Sequence, residues 1–499
     1  MPSLQNIRPQ LLSNTEHLFS SCKMAAPLIG VGVVMGFLIT WNKWYYLMGF
    51  VFAALYIVFA LRHRWEILLV MIFFVDLIWG YVMRRGSYIL SSFIIDHSLL
   101  LLFATLLYYF AWKRLKTHKN IGIKNSTSKE YMLIVIFTVL LFVGGLTWLE
   151  FRDTPPYEWW RFGIAGLGAF ILGAEVGKDF KRTKQFVLLL FSLLFLISLE
   201  ISIRQWLNFE LIEVQHGLDY YVEQRFGIHS QRYTALFSGI EGDAFLMVIA
   251  LSLGVGIILN NSSKLLKIAC AIALIPVVKI IVSSLDRTAW STGILILLSW
   301  CFYSFRFSNR QIVRLIIVIL TVIICLSLLL IPEIIKGDLS DFFYDFFRSD
   351  RYKLWYSTIK ALPDFPVLGI GYHNGEKFSF TLSQANPSVT YILPLYGHYG
   401  QYDDPHNSYL EIMTFAGVPT FIVFMLFLVR VFYIGHKVLH LEQVQNTRLT
   451  ILTIYIALFA LCVFSFFKKH LWLWPVNLLF WMLSGIVVGF KSHPQKDIN

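Results

Sequence analysis

Apolar runs of about twenty residues recur along almost the whole chain, and no other feature limits its fold as strongly. A hydrocarbon layer about 30 Å thick is crossed by roughly 20 residues of α-helix. In lipid, only helices and closed barrels satisfy their own backbone donors and acceptors. Runs at residues 24–41, 43–61, 65–83, 87–112, 131–149, 157–177, 184–202, 243–260, 265–285, 288–305, 312–331, 408–435, 449–467 and 472–490 fit that length. The expected fold class is therefore all-α, a polytopic membrane helix bundle of about 12–14 transmembrane helices with one large extracytoplasmic loop. Composition agrees: 14% of residues are charged, against roughly 25% in soluble domains. The 24 Tyr and 15 Trp can populate interfacial belts.

The net charge of +12 invites a nucleic-acid reading, which the placement of the charges excludes. Most Lys and Arg fall in short connectors, where they report orientation. With a cytoplasmic N-terminus, the inner connectors are Arg62–Arg64, Lys113–Lys129, Lys178–Lys184, Lys264–Lys267, Arg306–Arg314, His436–Arg448 and the tail from Lys491. Arg84-Arg85 and Lys468-Lys469 are the exceptions. The resulting plan is a cytoplasmic tail at 1–23, helices one to eleven over 24–331, an outer loop at 332–407, the last three helices over 408–490, and a cytoplasmic tail at 491–499. The first 23 residues carry no cleavable signal pattern. Cys270, Cys301, Cys325 and Cys462 lie within apolar runs and Cys22 in the tail, so neither a disulfide framework nor a Cys-based metal site is indicated.

Two longer segments then lie outside, 203–242 and 332–407. A connection as long as the second is usually functional or disordered, and its aromatic content argues against disorder. Asp338–Asp350 is acidic and aromatic and reads as a helix along the interface. Ionisable groups near membrane depth tend to mark sites. Arg287, in SSLDRTAWS, has Asp286 beside it as a neutralising partner; an interfacial anchor or helix-end ion pair is the plainer reading. Arg232, in SQRYTALFSGIEGD, precedes a helix and admits the same alternatives. Arg351, Trp355, Thr358 and Ile359 share one face of a short helix, which ends at Pro363. Pro366, Gly369 and Gly371 then build a tight turn whose backbone can approach a ligand.

The last constellation is Asp403-Asp404-Pro405-His406-Asn407-Ser408-Tyr409-Leu410-Glu411. Asn407 or Ser408 can cap the helix that follows, and a capped N-terminus facing outward suits an anion. His406 beside it can accept a proton near neutral pH. Read plainly, these are a helix cap and a surface histidine. Asp403, Asp404 and His406 also suggest a metal, but three ligands within four residues rarely reach one tetrahedral centre, so none is expected.

Taken together, the motifs resemble those of the O-antigen ligase and Wzy-type polymerase superfamily of bacterial membrane glycosyltransferases. SSLDRTAW is similar to the family's S-x-R-x-A-W/G segment. Arg351, Trp355, Pro366, Gly369 and Gly371 match R-x-x-x-W followed by P-x-x-G-x-G, and His406, Asn407, Leu410, Glu411, Gly417 and Val418 match H-N-x-x-L-E followed by G-V/I-P/G. The resemblance implies a GT-C-like bundle in the inner membrane with its active site facing the periplasm. It implies an inverting, metal-independent transfer, without a cofactor, of an undecaprenyl-pyrophosphate-linked glycan to a lipid A-core or glycan hydroxyl. It assigns catalysis to His406, Arg351 and Arg287, and substrate contacts to Arg232, Trp355, Asp404 and Asn407. Guanidinium groups suit a pyrophosphate leaving group, which they bind bidentately while its charge develops. The chain departs from the family at Phe237–Asp243, where a Pro-Asn pair is lacking. A Wzy-type polymerase shares this donor and these residues. A transporter of lipid-linked glycan or anions is the reading from another class; Asp76, Asp96-His97, Glu175 and Glu200 are its candidates, but no inverted repeat supports it. A non-catalytic scaffold, in which His406 and the arginines are dispensable, is a third.

Overall fold

A computed structural model describes residues 45–85, 97–117, 128–146, 161–207, 221–225, 228–232, 240–260, 263–284, 286–304, 351–371, 378, 381, 405–442, 444–468, 471 and 474–492. The expected spans at 24–41 and 312–331, the interfacial helix at 338–350, and Asp403 and Asp404 lie outside the described residues.

Within them the chain is a polytopic helix bundle, all-α apart from one short hairpin. Helices α1 (Tyr45–Leu61), α2 (Trp65–Arg85), α3 (His97–Thr117) and α4 (Ser128–Leu146) lead to a π turn at Arg161–Ala165 that enters α5 (Gly166–Gly177). Then follow α6 (Phe180–Leu207), α7 (Ile240–Asn260), α8 (Lys264–Ser283) and α9 (Arg287–Ser304). After the short α10 (Arg351–Lys360) and α11 (Ser408–Phe415) come α12 (Val418–Leu441), α13 (Gln445–Phe467) and α14 (Trp474–Gly489). Stretches of α6, α8, α12 and α13 are each long and apolar enough to cross a membrane.

Two local differences separate this fold from the sequence reading. The run at 408–435 is divided rather than continuous, because Gly417 takes a φ of +90° that a helix cannot accommodate. Pro419 then restarts the chain as α12, where its missing N–H costs nothing in the first turn. The segment at 203–242 holds a two-stranded hairpin, β1 (Tyr221–Arg225) pairing antiparallel with β2 (Ile228–Arg232).

With lipid outside, helices gain little from apolar contact alone and pack best where small residues let backbones meet. The α5–α14 pair does this. A Cβ on Gly173 or Gly177 would strike the carbonyl oxygens of Met482 and Ile486, and one on Gly485 or Gly489 those of Phe170 and Ala174. Trp481 closes the same seam, its ring 5.1 Å from Phe427 and 5.6 Å from Phe137.

Polar contacts join connectors that are distant in sequence. Glu130, fully buried in the first turn of α4, accepts from Arg430 Nε at 2.9 Å and pairs with Lys491 at 3.6 Å. Arg64 donates to Gln185 at 2.9 Å, and Asn260 donates to Thr450. Apart from Arg430, which lies within α12, these residues come from or border connectors that the basic residues assign to the cytoplasmic side.

Candidate functional site

The three motifs meet through contacts that no single motif contains. Asp286 starts the first. Its Oδ1 accepts the Thr288 N–H at 2.9 Å, which caps α9 and sets Arg287 in that helix's first turn. Its Oδ2 faces Lys468 Nζ at 3.5 Å, beyond the end of α13, and both side chains are under 10% exposed. Beyond the expectation that Asp286 neutralises its neighbour Arg287, the carboxylate is engaged across the chain by Lys468. Burying a charge is costly unless an opposite charge faces it, which accounts for the pair.

Lys468 also holds the third motif. Its carbonyl accepts from Ser408 Oγ at 2.8 Å and from Ser408 N–H at 3.2 Å, while Ser408 Oγ accepts from Leu471 N–H at 3.2 Å. Asn407 is the N-cap of α11, its side-chain oxygen accepting from Tyr409 N–H at 2.9 Å and Leu410 N–H at 3.1 Å. Glu411 N–H donates to the Asn407 carbonyl at 2.9 Å. The first four N–H groups of α11 are thus all engaged within the protein. The expectation that this helix end offers free donors to an anion is corrected accordingly: the cap and the Lys468 carbonyl have consumed them.

His406 precedes the cap, half-buried, with a φ of 49°. A left-handed backbone at a residue other than glycine is uncommon, and such strain concentrates at functional sites. The turn is anchored from the other side as well, because Trp355 Nε1 donates to the Pro405 carbonyl at 3.1 Å. The Trp355 ring also rests on Phe466 and Phe467, with centroids 5.3 Å and 6.0 Å away. Trp355 lies four residues, just over one turn, along α10 from Arg351, so about 6 Å of helix rise separates them. Continuity therefore runs from Arg287 through Asp286, Lys468 and Ser408 to His406, and on through Pro405 and Trp355 to the helix that begins at Arg351.

The glycine turn serves a different purpose from the one its sequence suggests. Gly369 N–H donates to the Pro366 carbonyl at 2.8 Å, Ile370 N–H to Thr414 at 3.0 Å, and Gly371 N–H to Phe415 at 2.9 Å. In return Val418 N–H donates to Val367 at 3.1 Å. The close approach is thus to the end of α11 and the start of α12, not to a ligand. Gly369 and Gly417, at φ +84° and +90°, lie face to face there, and a Cβ on either would collide with the other strand's carbonyl oxygen. On α10 the expected shared face also divides. Leu354, Ser357 and Thr358 are buried and Trp355 sits at their border, whereas Ile359 points outward. Arg232 ends β2, which rests beside α8, the helix leading to Asp286. Asp404 lies outside the described residues.

Residues 270–425 match the O-antigen ligase family. The matched segment holds SSLDRTAW, the Arg351–Gly371 stretch and the His406–Glu411 turn, so the resemblance read from these motifs holds over the O-antigen-ligase region. No curated protein matches the chain.

The residue that sequence reasoning missed is Lys468, which lies beyond the matched region. It was legible only as an exception to the orientation rule. A lysine that does not fit the orientation rule has another reason to be there, and its buried pair with Asp286 supplies one.

Proposed function

We propose that the chain is a membrane glycosyltransferase of the O-antigen ligase kind, moving a glycan from undecaprenyl pyrophosphate to a hydroxyl of lipid A-core on the periplasmic side of the inner membrane. The observation that carries this reading is the joining of the three motifs by the Asp286–Lys468 pair, the Ser408–Lys468 hydrogen bonds and the Trp355–Pro405 hydrogen bond.

The acceptor oxygen attacks the anomeric carbon as the C–O bond to pyrophosphate breaks, and the bond electrons leave with undecaprenyl pyrophosphate. His406 takes the hydroxyl proton. It belongs to a turn held by a cap on one side and by Trp355 on the other, so its backbone is held before substrate arrives, and such pre-organisation favours acid–base help. The pyrophosphate carries the developing negative charge. Because the α11 N–H groups are engaged, that charge falls to side chains, and Arg287 and Arg351 are the guanidinium groups beginning the two helices tied to the turn. Arg232, Trp355, Asp404 and Asn407 shape the surrounding substrate contacts, Asn407 through the cap that orients its neighbour.

Surface polysaccharide from a strain lacking the gene tests the reading. A ligase leaves lipid A-core bare while polymer accumulates on undecaprenyl pyrophosphate. Core bearing one repeat unit would make the chain a polymerase, and an unchanged surface polysaccharide would refute glycan transfer altogether.

A further inference from the structure

Lys468 lies outside the matched segment, yet it contacts two of the three motifs by different atoms. Its ammonium faces Asp286, the residue that caps α9 at Arg287. Its carbonyl holds Ser408, two residues from His406. We propose that Lys468 is a positioning residue, fixing the Arg287 helix start and the His406 turn relative to each other through the buried pair with Asp286. The inference rests on the function proposed above.

Three features support a role beyond holding the fold together. The pair is buried on both sides, so its geometry is not blurred by solvent. Asp286 divides its two oxygens between the α9 cap and Lys468, which makes the orientation of the Arg287 turn depend on where the ammonium sits. Ser408 binds the Lys468 carbonyl through both its hydroxyl and its N–H, so the lysine backbone and the α11 start move as one piece. Displacing either partner shifts one half of the site against the other, and a misplacement of about 1 Å can cost on the order of 10²-fold in rate.

Removing only one partner unbalances the charge of the buried pair and can unfold the protein, which is uninformative. The decisive variant is therefore the double neutralisation Lys468→Met with Asp286→Asn, which leaves the net charge of the pair unchanged and in which Asn retains a capping oxygen. Full-length wild type and variant are reconstituted in liposomes with undecaprenyl-pyrophosphate-linked glycan extracted from the host strain and lipid A-core as acceptor. Thermal unfolding in detergent and kcat and KM are measured together. The expected result is wild-type melting with kcat lowered by about 10²-fold and KM changed far less. A second expectation is coupling: Arg287→Lys should cost much less in the double-neutral background than in wild type, because the arginine is already misplaced there. Wild-type kcat in a well-folded double variant overturns the proposal. So does a melting loss that the charge-swapped Lys468→Asp/Asp286→Lys protein restores in parallel with activity to the same fraction, since that pattern is purely structural. If wild type itself transfers no glycan, the functional reading fails instead, and the melting cycle still reports whether the two residues are coupled.

Discussion

Replacing His406 by glycine and by alanine separates its chemistry from its conformation. Both substitutions remove the imidazole and the same half-buried contacts, so a difference in their stability isolates the backbone. At φ 49° an L residue pays roughly 1–2 kcal/mol for the left-handed conformation, and alanine pays it as fully as histidine. Glycine pays none of it but loses about 0.5–1 kcal/mol more than alanine in unfolded-state freedom. His406→Gly should therefore be about 0.5–1 kcal/mol more stable than His406→Ala. Both should lose transfer activity by about 10²–10⁴-fold, the usual worth of general acid–base assistance. Thermal unfolding in detergent and glycan transfer in reconstituted liposomes measure the two quantities. A glycine variant less stable than the alanine variant would refute the strain reading. Retention of activity to within about tenfold in either one would refute the proton-transfer role.

Three other outcomes are expected. Gly369→Ala and Gly417→Ala each force a positive φ, worth about 1–3 kcal/mol, and also drive a Cβ into a facing carbonyl, so both should melt well below wild type; unchanged melting would disprove the interlocked turn. Arg287→Lys and Arg351→Lys keep the charge but lose the planar fork and should lower transfer by about 10²-fold at normal protein levels, comparable to losing one preorganised donor; normal transfer by both would remove bidentate pyrophosphate recognition. Cysteine at Ser340 should react with a membrane-impermeant maleimide in spheroplasts and cysteine at Ser126 should not, with the opposite pattern overturning the orientation.

Much of this protein was legible in one dimension. A membrane span is a local property, because twenty apolar residues in lipid must satisfy their backbone internally whatever their neighbours do. The helices from α1 to α9, together with α13 and α14, accordingly begin and end near the expected boundaries wherever those boundaries are described. Caps are local too, and Asn407 is the cap that its position before an apolar run suggests. The three motifs carry short, ordered signals of the same kind. What no local pattern contains is which partner a charge or a turn will find. Asp286 lies next to Arg287 in sequence, and its carboxylate also meets Lys468, which lies 182 positions further along the chain. The Pro366–Gly371 turn reads as a ligand loop, because a glycine at positive φ looks the same whether it admits a substrate or another backbone. Only the packing of α11 against that turn decides for the backbone. Composition and periodicity therefore determine that the chain enters the membrane as helices, since lipid imposes that requirement residue by residue. Tertiary structure alone decides that Asp286, Lys468, Ser408 and Trp355 converge, because matching a buried charge or a buried carbonyl depends on distance in space, which sequence separation does not encode.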